Sequence, residues 1–296
     1  MSTVTSRQTT EDDITNAVLE RIQGTPDPRT KQIMLSLVKH LHAFVKDVQL
    51  TEAEWFEGIK FLTATGQKCD DIRQEYILLS DTLGVSMVVD LISHRKTAGA
   101  TESTVFGPFH RDGAPELPNG ADMGIADKNG VPLVISGRVL DTSGKPIAGA
   151  LLDVWQANSD GFYDAQLPNH DQLQMRGKYR TDSEGRYVVH TRRPVAYPIP
   201  TDGPVGAMLR ATNRHAVRPA HVHFVVAANG YEPVTTHIFD FDDPQLKKGD
   251  TVFGVKESLI VKFKDHPAGD TAAMKGAKVT GPFVTADFDF VLQPAK

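Results

Sequence analysis

Apolar positions in the first third of the chain recur at three- and four-residue intervals. Ile33, Leu37, Leu41, Phe44, Val45 and Val48 fall on one face of a helix. Thr51 and Glu54 stand at capping-box spacing, where each side chain satisfies the other's orphan backbone N–H, and Trp55, Ile59 and Leu62 follow on one face. A further apolar pattern runs from Ile72 to Leu91, and Pro26 and Pro28 punctuate the region between candidate helices. Near residue 100 the pattern changes to short β-branched runs bounded by turn residues. Leu133 to Leu140 leads into Asp141-Thr142-Ser143-Gly144, and Gly185 to Thr191 follows Asp182-Ser183-Glu184. His221 to Val226 precedes Asn229-Gly230, and Leu259 to Phe263 is a fourth run. Of the 18 prolines, all but Pro26 and Pro28 lie in this second part. The patterning predicts a mainly β fold, with a helical N-terminal part over residues 1–100 and an antiparallel β-sandwich over 101–296. The helical stripes need a surface to bury them, either the sandwich or a second copy of the chain.

Composition narrows the function classes. Hydrophobic residues make up 40% and charged residues 23% of the 296, as in ordinary globular proteins. A net charge of -5 argues against nucleic acid or an anionic membrane as partner, since either needs a basic surface. No apolar run approaches the roughly 20 residues that span a bilayer. Met1 to Asp12 is polar, without the apolar core of a signal peptide, and reads as a frayed tail. The single cysteine, Cys69, excludes an intrachain disulfide and fits a reducing cytosol, so a cytoplasmic protein is expected.

Three segments carry residues capable of chemistry. In Arg218-Pro219-Ala220-His221-Val222-His223-Phe224, strand alternation puts His221 and His223 on one face, with Ala220, Val222 and Phe224 turned into a core. Two imidazoles a pleat apart can reach one transition metal. Upstream, prolines bracket Tyr197 in Arg193-Pro194-Val195-Ala196-Tyr197-Pro198-Ile199-Pro200-Thr201-Asp202-Gly203-Pro204, a stiff loop that pre-positions a side chain. Tyr163 follows a strand and a turn in Val154-Trp155-Gln156-Ala157-Asn158-Ser159-Asp160-Gly161-Phe162-Tyr163-Asp164. Taken singly, each segment reads equally as packing: two histidines on a strand, and tyrosines capping a sandwich edge.

Together these contexts, in order, resemble the intradiol ring-cleaving dioxygenase family, in which two tyrosines and two histidines hold Fe(III). The matches are Tyr163 in Gly-Phe-Tyr-Asp, Tyr197 in Tyr-Pro-Ile-Pro-x-Asp-Gly-Pro, and both histidines of Arg-Pro-Ala-His-Val-His-Phe. The resemblance covers nearly the whole chain, including the helical front, which is similar to the family's linker domain. It implies one Fe(III) per subunit held by Tyr163, Tyr197, His221 and His223, and a small aromatic diol or triol cleaved with O2 between its two hydroxyl-bearing carbons. Two phenolates and two neutral imidazoles suit ferric iron, whereas a ferrous oxygenase would show two histidines and a carboxylate. The resemblance also implies that Tyr197 leaves the metal as substrate enters and acts as base. Tyr163 and His221 then stay equatorial and His223 axial, while Arg218 stabilises developing negative charge. The pocket residues so implied are Leu78, Asp81, Val105, Phe106, Gly107, Pro108, Phe109, Ile199, Pro200, Arg218 and His237. Several of these, and Val252 to Val261, look more like the hydroxyquinol branch than the catechol branch. Asp81 could accept a hydrogen bond from a third ring hydroxyl, or cap a turn before Leu83-Gly84. His237 stands where catechol enzymes are expected to have glutamine, and reads as a residue behind the ligands or a core histidine. A homodimer through the helical front, with a lipid at its interface, is a further implication. The competing readings are a non-catalytic transthyretin-like β-sandwich, which a colourless, iron-free protein would favour, and a protocatechuate-type enzyme, which lacks so long a helical front.

Overall fold

The computed structural model describes residues 8–71, 73–168 and 171–295. Met1 to Arg7, most of the tail expected to fray, and Ile72, the start of the third apolar pattern, lie outside the described residues. The chain forms two compact units, Met1–Ala64 and Thr65–Lys296.

The first unit holds α1 (Glu11–Ile22), α2 (Pro28–Asp47) and most of α3 (Glu52–Gln67). Their starts are written in the sequence. Thr10 and Asp13 form a capping box on α1; Asp27 caps α2 with Pro28 in the first turn. Thr51 donates from N and Oγ1 to Glu54 at 2.9 and 2.8 Å ahead of α3, the capping box that the spacing predicts. Leu37, Leu41 and Phe44 on α2, and Trp55 on α3, are all about half exposed.

In the second unit, α4 (Glu75–Thr82) and α5 (Val85–Ser93) divide the apolar pattern expected from Ile72 to Leu91. The break falls at Gly84, whose φ of 73° is left-handed, a conformation costly for residues with a Cβ. Then follow β1 (Pro132–Asp141), β2 (Leu151–Trp155), β3 (Arg176–Arg180), β4 (Arg186–Arg192), β5 (Tyr197–Pro198), α6 (Pro204–Ala211), β6 (Val217–Arg218), β7 (His221–Ala227) and β8 (Val234–Asp240). The short strands β9 (Ile260–Val261), β10 (Lys264–His266), β11 (Phe283–Asp287) and β12 (Phe290–Leu292) complete it. One sheet runs β10-β11-β1-β12, with β4 also on β1; the other runs β3-β2-β7-β8-β9; β5 and β6 pair alone.

The sandwich is mixed rather than strictly antiparallel. β1 pairs in parallel with β11 and β12, and β8 with β9. Parallel neighbours need a long crossover rather than a hairpin turn, and these partners are far apart in sequence. Short local runs with turns after them suggest antiparallel hairpins and carry no sign of such returns.

Alternation along β7 is as predicted. Val222 and Phe224 enter the core beside Leu133, Ile135, Leu152, Val154, Ile238 and Phe290, leaving His221 and His223 on the opposite face. No single helix among the described residues is long and apolar enough to cross a membrane.

Candidate active site

β7 sits between β2 and β8, so that His223 lies level with Trp155 on one side and His237 on the other. The His223 ring stacks on Trp155 at 4.7 Å and 15°. Tyr197 and Arg218 are register partners in the β5–β6 ribbon. Tyr163 comes from the turn after β2, where Asn158 Oδ1 accepts from the backbone N–H groups of Asp160 and Phe162. Gly161, at φ 82°, passes so close to Tyr197 that an added Cβ would lie 2.9 Å from the Tyr197 Cβ. Tyr163 is further held by stacking on Phe109 at 4.6 Å and by Gln166 Oε1, which accepts from its backbone N–H at 2.9 Å.

These elements bring four atoms together. Tyr163 Oη lies 2.9 Å from Tyr197 Oη and 2.8 Å from His223 Nε2. His221 Nε2 lies 3.1 Å from His223 Nε2 and 3.4 Å from Tyr197 Oη. A first-row metal ion with bonds of about 2.0–2.1 Å holds neighbouring donors about 3 Å apart, so one ion fits the four. His221 Nδ1 donates to the Pro219 carbonyl at 2.6 Å, which leaves the Nε2 lone pair facing the cluster. Burial pushes the imidazoles of His221 and His223 well below their ordinary value, with Arg218 adding to this at His221 and His237 at His223, so both are neutral. Burial also lifts both phenols, Tyr163 far above its ordinary value, and only a bound cation would make phenolates there. Two imidazole lone pairs and two phenol oxygens in a buried space call for a cation to bind them.

His237 belongs to this cluster without sharing its focus. Ligand atoms of His221, His223 and His237 lie within 4.8 Å of one another. His237 Nδ1 lies 3.5 Å from Arg218 Nη2, whereas each of the four donors lies within 3.4 Å of another member of the set. His237 packs its ring against His221 and His223, at 4.8 and 4.1 Å.

Beside the donors lies a narrow cavity lined by Leu78, Asp81, Gly107, Pro108, Phe109, Tyr197, Ile199, Pro200, Arg218, His223 and Val252. Its volume is about 20 Å³, room for little more than one water. Leu78, Pro108, Phe109 and Pro200 also border an outer vestibule of about 140 Å³, with Arg73, Gln74, Glu75 and Gln166. A larger cleft of about 570 Å³ near Lys96 and Lys256 lacks a convergent donor set, and both lysines pair with acidic side chains.

Of the expected pocket residues, Val105, Phe106 and His237 do not line this cavity. Val105 is buried with Met87 and Val252, and Phe106 is half-exposed against His110 and Trp155. Asp81 does line it. Burial lifts the Asp81 carboxyl above its ordinary value; a hydrogen bond with Ser86 and the charge of Arg218 oppose this, and Asp250 reinforces it.

Four residues have roles that the sequence does not show. Val252 lines the cavity, and Asp250 pairs with Arg218. Arg176 grips Asp164 beside Tyr163 through Nε at 2.6 Å and through Nη2, and also donates to the Phe109 carbonyl at 2.7 Å. Arg176 and Asp164 are both buried, which places an ion pair directly behind Tyr163 and Phe109.

Comparison with known proteins gives concordant matches. Residues 27–101 match the family described as catechol dioxygenase N terminus, and residues 105–294 match the dioxygenase family. The chain is 50% identical to 6-chlorohydroxyquinol 1,2-dioxygenase of Cupriavidus pinatubonensis, over 95% of this chain and 96% of that one. It is 49% identical to hydroxyquinol 1,2-dioxygenase of a Rhizobium species, over 93% and 92% of the two chains. The structure is similar to that of hydroxyquinol 1,2-dioxygenase from Pseudomonas putida, with a TM-score of 0.89, 53% identity, and coverage of 96% of this chain and 99% of the other.

Proposed function

Because the chain belongs to the intradiol ring-cleaving dioxygenases, we propose that it opens hydroxyquinol (1,2,4-trihydroxybenzene) with O2 between the two adjacent hydroxyl-bearing carbons. The product is 3-hydroxy-cis,cis-muconate, the enol form of maleylacetate, and both oxygen atoms of O2 enter it. The observation that carries the reading is the convergence of Tyr163, Tyr197, His221 and His223 at 2.8–3.4 Å beside a cavity.

In this reading those four residues hold one iron ion per chain. Bound there as Fe(III), it would supply Lewis acidity toward the two adjacent ring oxygens and render the ring reactive toward O2. The cavity is too small for an aromatic ring, so a lining side chain must move. Tyr197 and His223 both line the cavity and belong to the donor set, but His223 is held in the central strand β7 and stacked on Trp155, so Tyr197 is the one to move. As it swings aside its phenolate oxygen takes a proton from a substrate hydroxyl, leaving the ring more electron-rich. Leu78, Pro108, Phe109, Ile199 and Val252 give apolar walls that hold the ring and exclude water. Arg218 directs a guanidinium N–H at the same place, where negative charge grows as the ring opens.

Asp81 supplies the preference for the third hydroxyl. The buried Asp81 carboxyl has Ser86 as one hydrogen-bond partner and gains no second from catechol, whereas hydroxyquinol provides one. The test is kcat/KM for hydroxyquinol and catechol side by side, with autoxidation subtracted. We expect about a hundredfold preference for hydroxyquinol, roughly 2.7 kcal/mol, which Asp81→Ala should erase by lowering the hydroxyquinol value. Equal values in the unmodified enzyme would make Asp81 structural and the enzyme catechol-type.

The half-exposed stripe of α2 supports a homodimer through the helical front. Light scattering of the purified enzyme should give twice the chain mass; a monomer at working concentration would count against it. The single cysteine suits a reducing compartment, and we place the enzyme in the cytosol.

A further inference from the structure

Arg218 carries its charge in a fully enclosed place, and the carboxylate that balances it takes no part in the chemistry described above. Arg218 is 4% exposed and Asp250 8%. Arg218 Nε donates to Asp250 Oδ1 at 3.2 Å and Nη2 to Oδ2 at 3.1 Å, a two-pronged pairing that fixes the plane of the guanidinium. Nη2 also points at His237 Nδ1. Nη1 is the nitrogen left to face the donor cluster, 3.1 Å from His221 Nε2. Asp250 is itself held, accepting from the backbone N–H groups of Val252 at 3.2 Å and Gly254 at 3.1 Å.

The short loop that does this is built with little slack. Between the two donors Phe253 takes a φ of 60°, a left-handed conformation that is strained outside glycine. A Cβ on Gly254 would lie 3.0 Å from Thr104 Oγ1 and 3.1 Å from both Arg218 Nη2 and Asp250 Oδ2. Thr104 Oγ1 donates to the Gly254 carbonyl at 2.7 Å and closes the loop onto the cavity wall. Val252, in the same loop, lines the cavity.

We propose that Asp250 is a positioning residue for the reaction: it clamps Nε and Nη2 of Arg218 so that Nη1 alone is presented to the reacting ring. Through Val252 the same loop sets the cavity wall, so the position of the charge and the width of the slot are fixed together. The role rests on the intradiol reading, in which Arg218 meets charge developing during ring opening. A clamp of this kind matters in the transition state more than in substrate binding, because its effect is to orient a charge toward negative charge that the bound substrate does not yet carry.

The test is a double-mutant cycle on the iron-loaded enzyme with Asp250→Asn, Arg218→Gln and the pair. Asp250→Asn should lower kcat on hydroxyquinol about ten- to a hundredfold, with KM within about threefold and iron per chain unchanged. In the Arg218→Gln background the same change should cost less than about threefold. Denaturant unfolding of the four metal-free proteins should also show Asp250 and Arg218 coupled. A kcat within about twofold of the unmodified enzyme, or losses that multiply in the double variant, would overturn the proposal. If Asp250→Asn does not fold, Gly254→Ala decides: it crowds the clamp without changing charge, and an unaltered kcat there overturns the role. Iron content and hydroxyquinol turnover of the unmodified enzyme test the intradiol reading separately.

Discussion

Replacing Tyr197 by Phe should lower kcat on hydroxyquinol about a thousandfold, near the middle of the range for a lost proton acceptor. The substitution removes one oxygen from a buried, nearly isosteric ring, so the fold should persist. Tyr163, His221 and His223 remain as donors, and the protein should keep part of its iron. Metal analysis, turnover and the visible spectrum, taken on the same sample, separate the outcomes. Reduced iron, lost turnover and a shifted absorption band place Tyr197 both on the metal and in the proton transfer. Unchanged turnover would remove it from the site. A complete loss of iron would make it chiefly a structural ligand, contrary to the proposed release on substrate entry.

The largest expected stability effect lies beside the donor cluster. Asp164→Ala should cost about 3–5 kcal/mol, the range for removing one partner of a buried ion pair. Asp164 is 2% exposed and accepts from Arg176, Ala165 N and Gln174 N, so its loss strands the Arg176 guanidinium, itself 4% exposed. Burial alone would raise the Asp164 carboxyl; the Arg176 charge and these N–H groups outweigh it and hold it below the ordinary value. A carboxyl depressed in the folded state contributes stability above its unfolded value of about 3.9, and loses it as pH falls through the folded one. The gap between unmodified protein and variant, measured by denaturant unfolding, should therefore narrow on acidification below about pH 4. A cost under about 1 kcal/mol at neutral pH would mean that Arg176 finds another partner.

The site residues whose roles depend on local pattern were readable from the chain. Two-residue alternation places His221 and His223 on one face before any partner strand is known, and Thr51 with Glu54 marks the start of α3. What escaped depends on contacts between distant segments. Asp250 meets Arg218 across 32 positions, and Arg176 reaches back to Asp164 and Phe109. Nothing near Asp250 or Arg176 in the sequence distinguishes them from surface charges; only the pairing of strands buries them. The same limit explains Val105 and Phe106. Val105 packs on Met87 and Val252, and Phe106 on His110 and Trp155, contacts that local pattern does not show. It also explains the parallel pairings, since short runs reveal strands but not the direction of their neighbours.

Those parallel pairings govern how the protein is made. β1 is complete by Asp141, but its neighbours β11 and β12 begin only at Phe283 and Phe290. With synthesis at about 5–20 residues per second, that edge of β1 waits on the order of ten seconds for its partners to leave the ribosome. During that interval β4 can pair with β1, while the other edge presents unpaired N–H and C=O groups. The sheet bearing His221 and His223 is spared this wait, since β2, β3, β7 and β8 all precede residue 241. The half of the sandwich that carries the chemistry can assemble before the half that closes over its core.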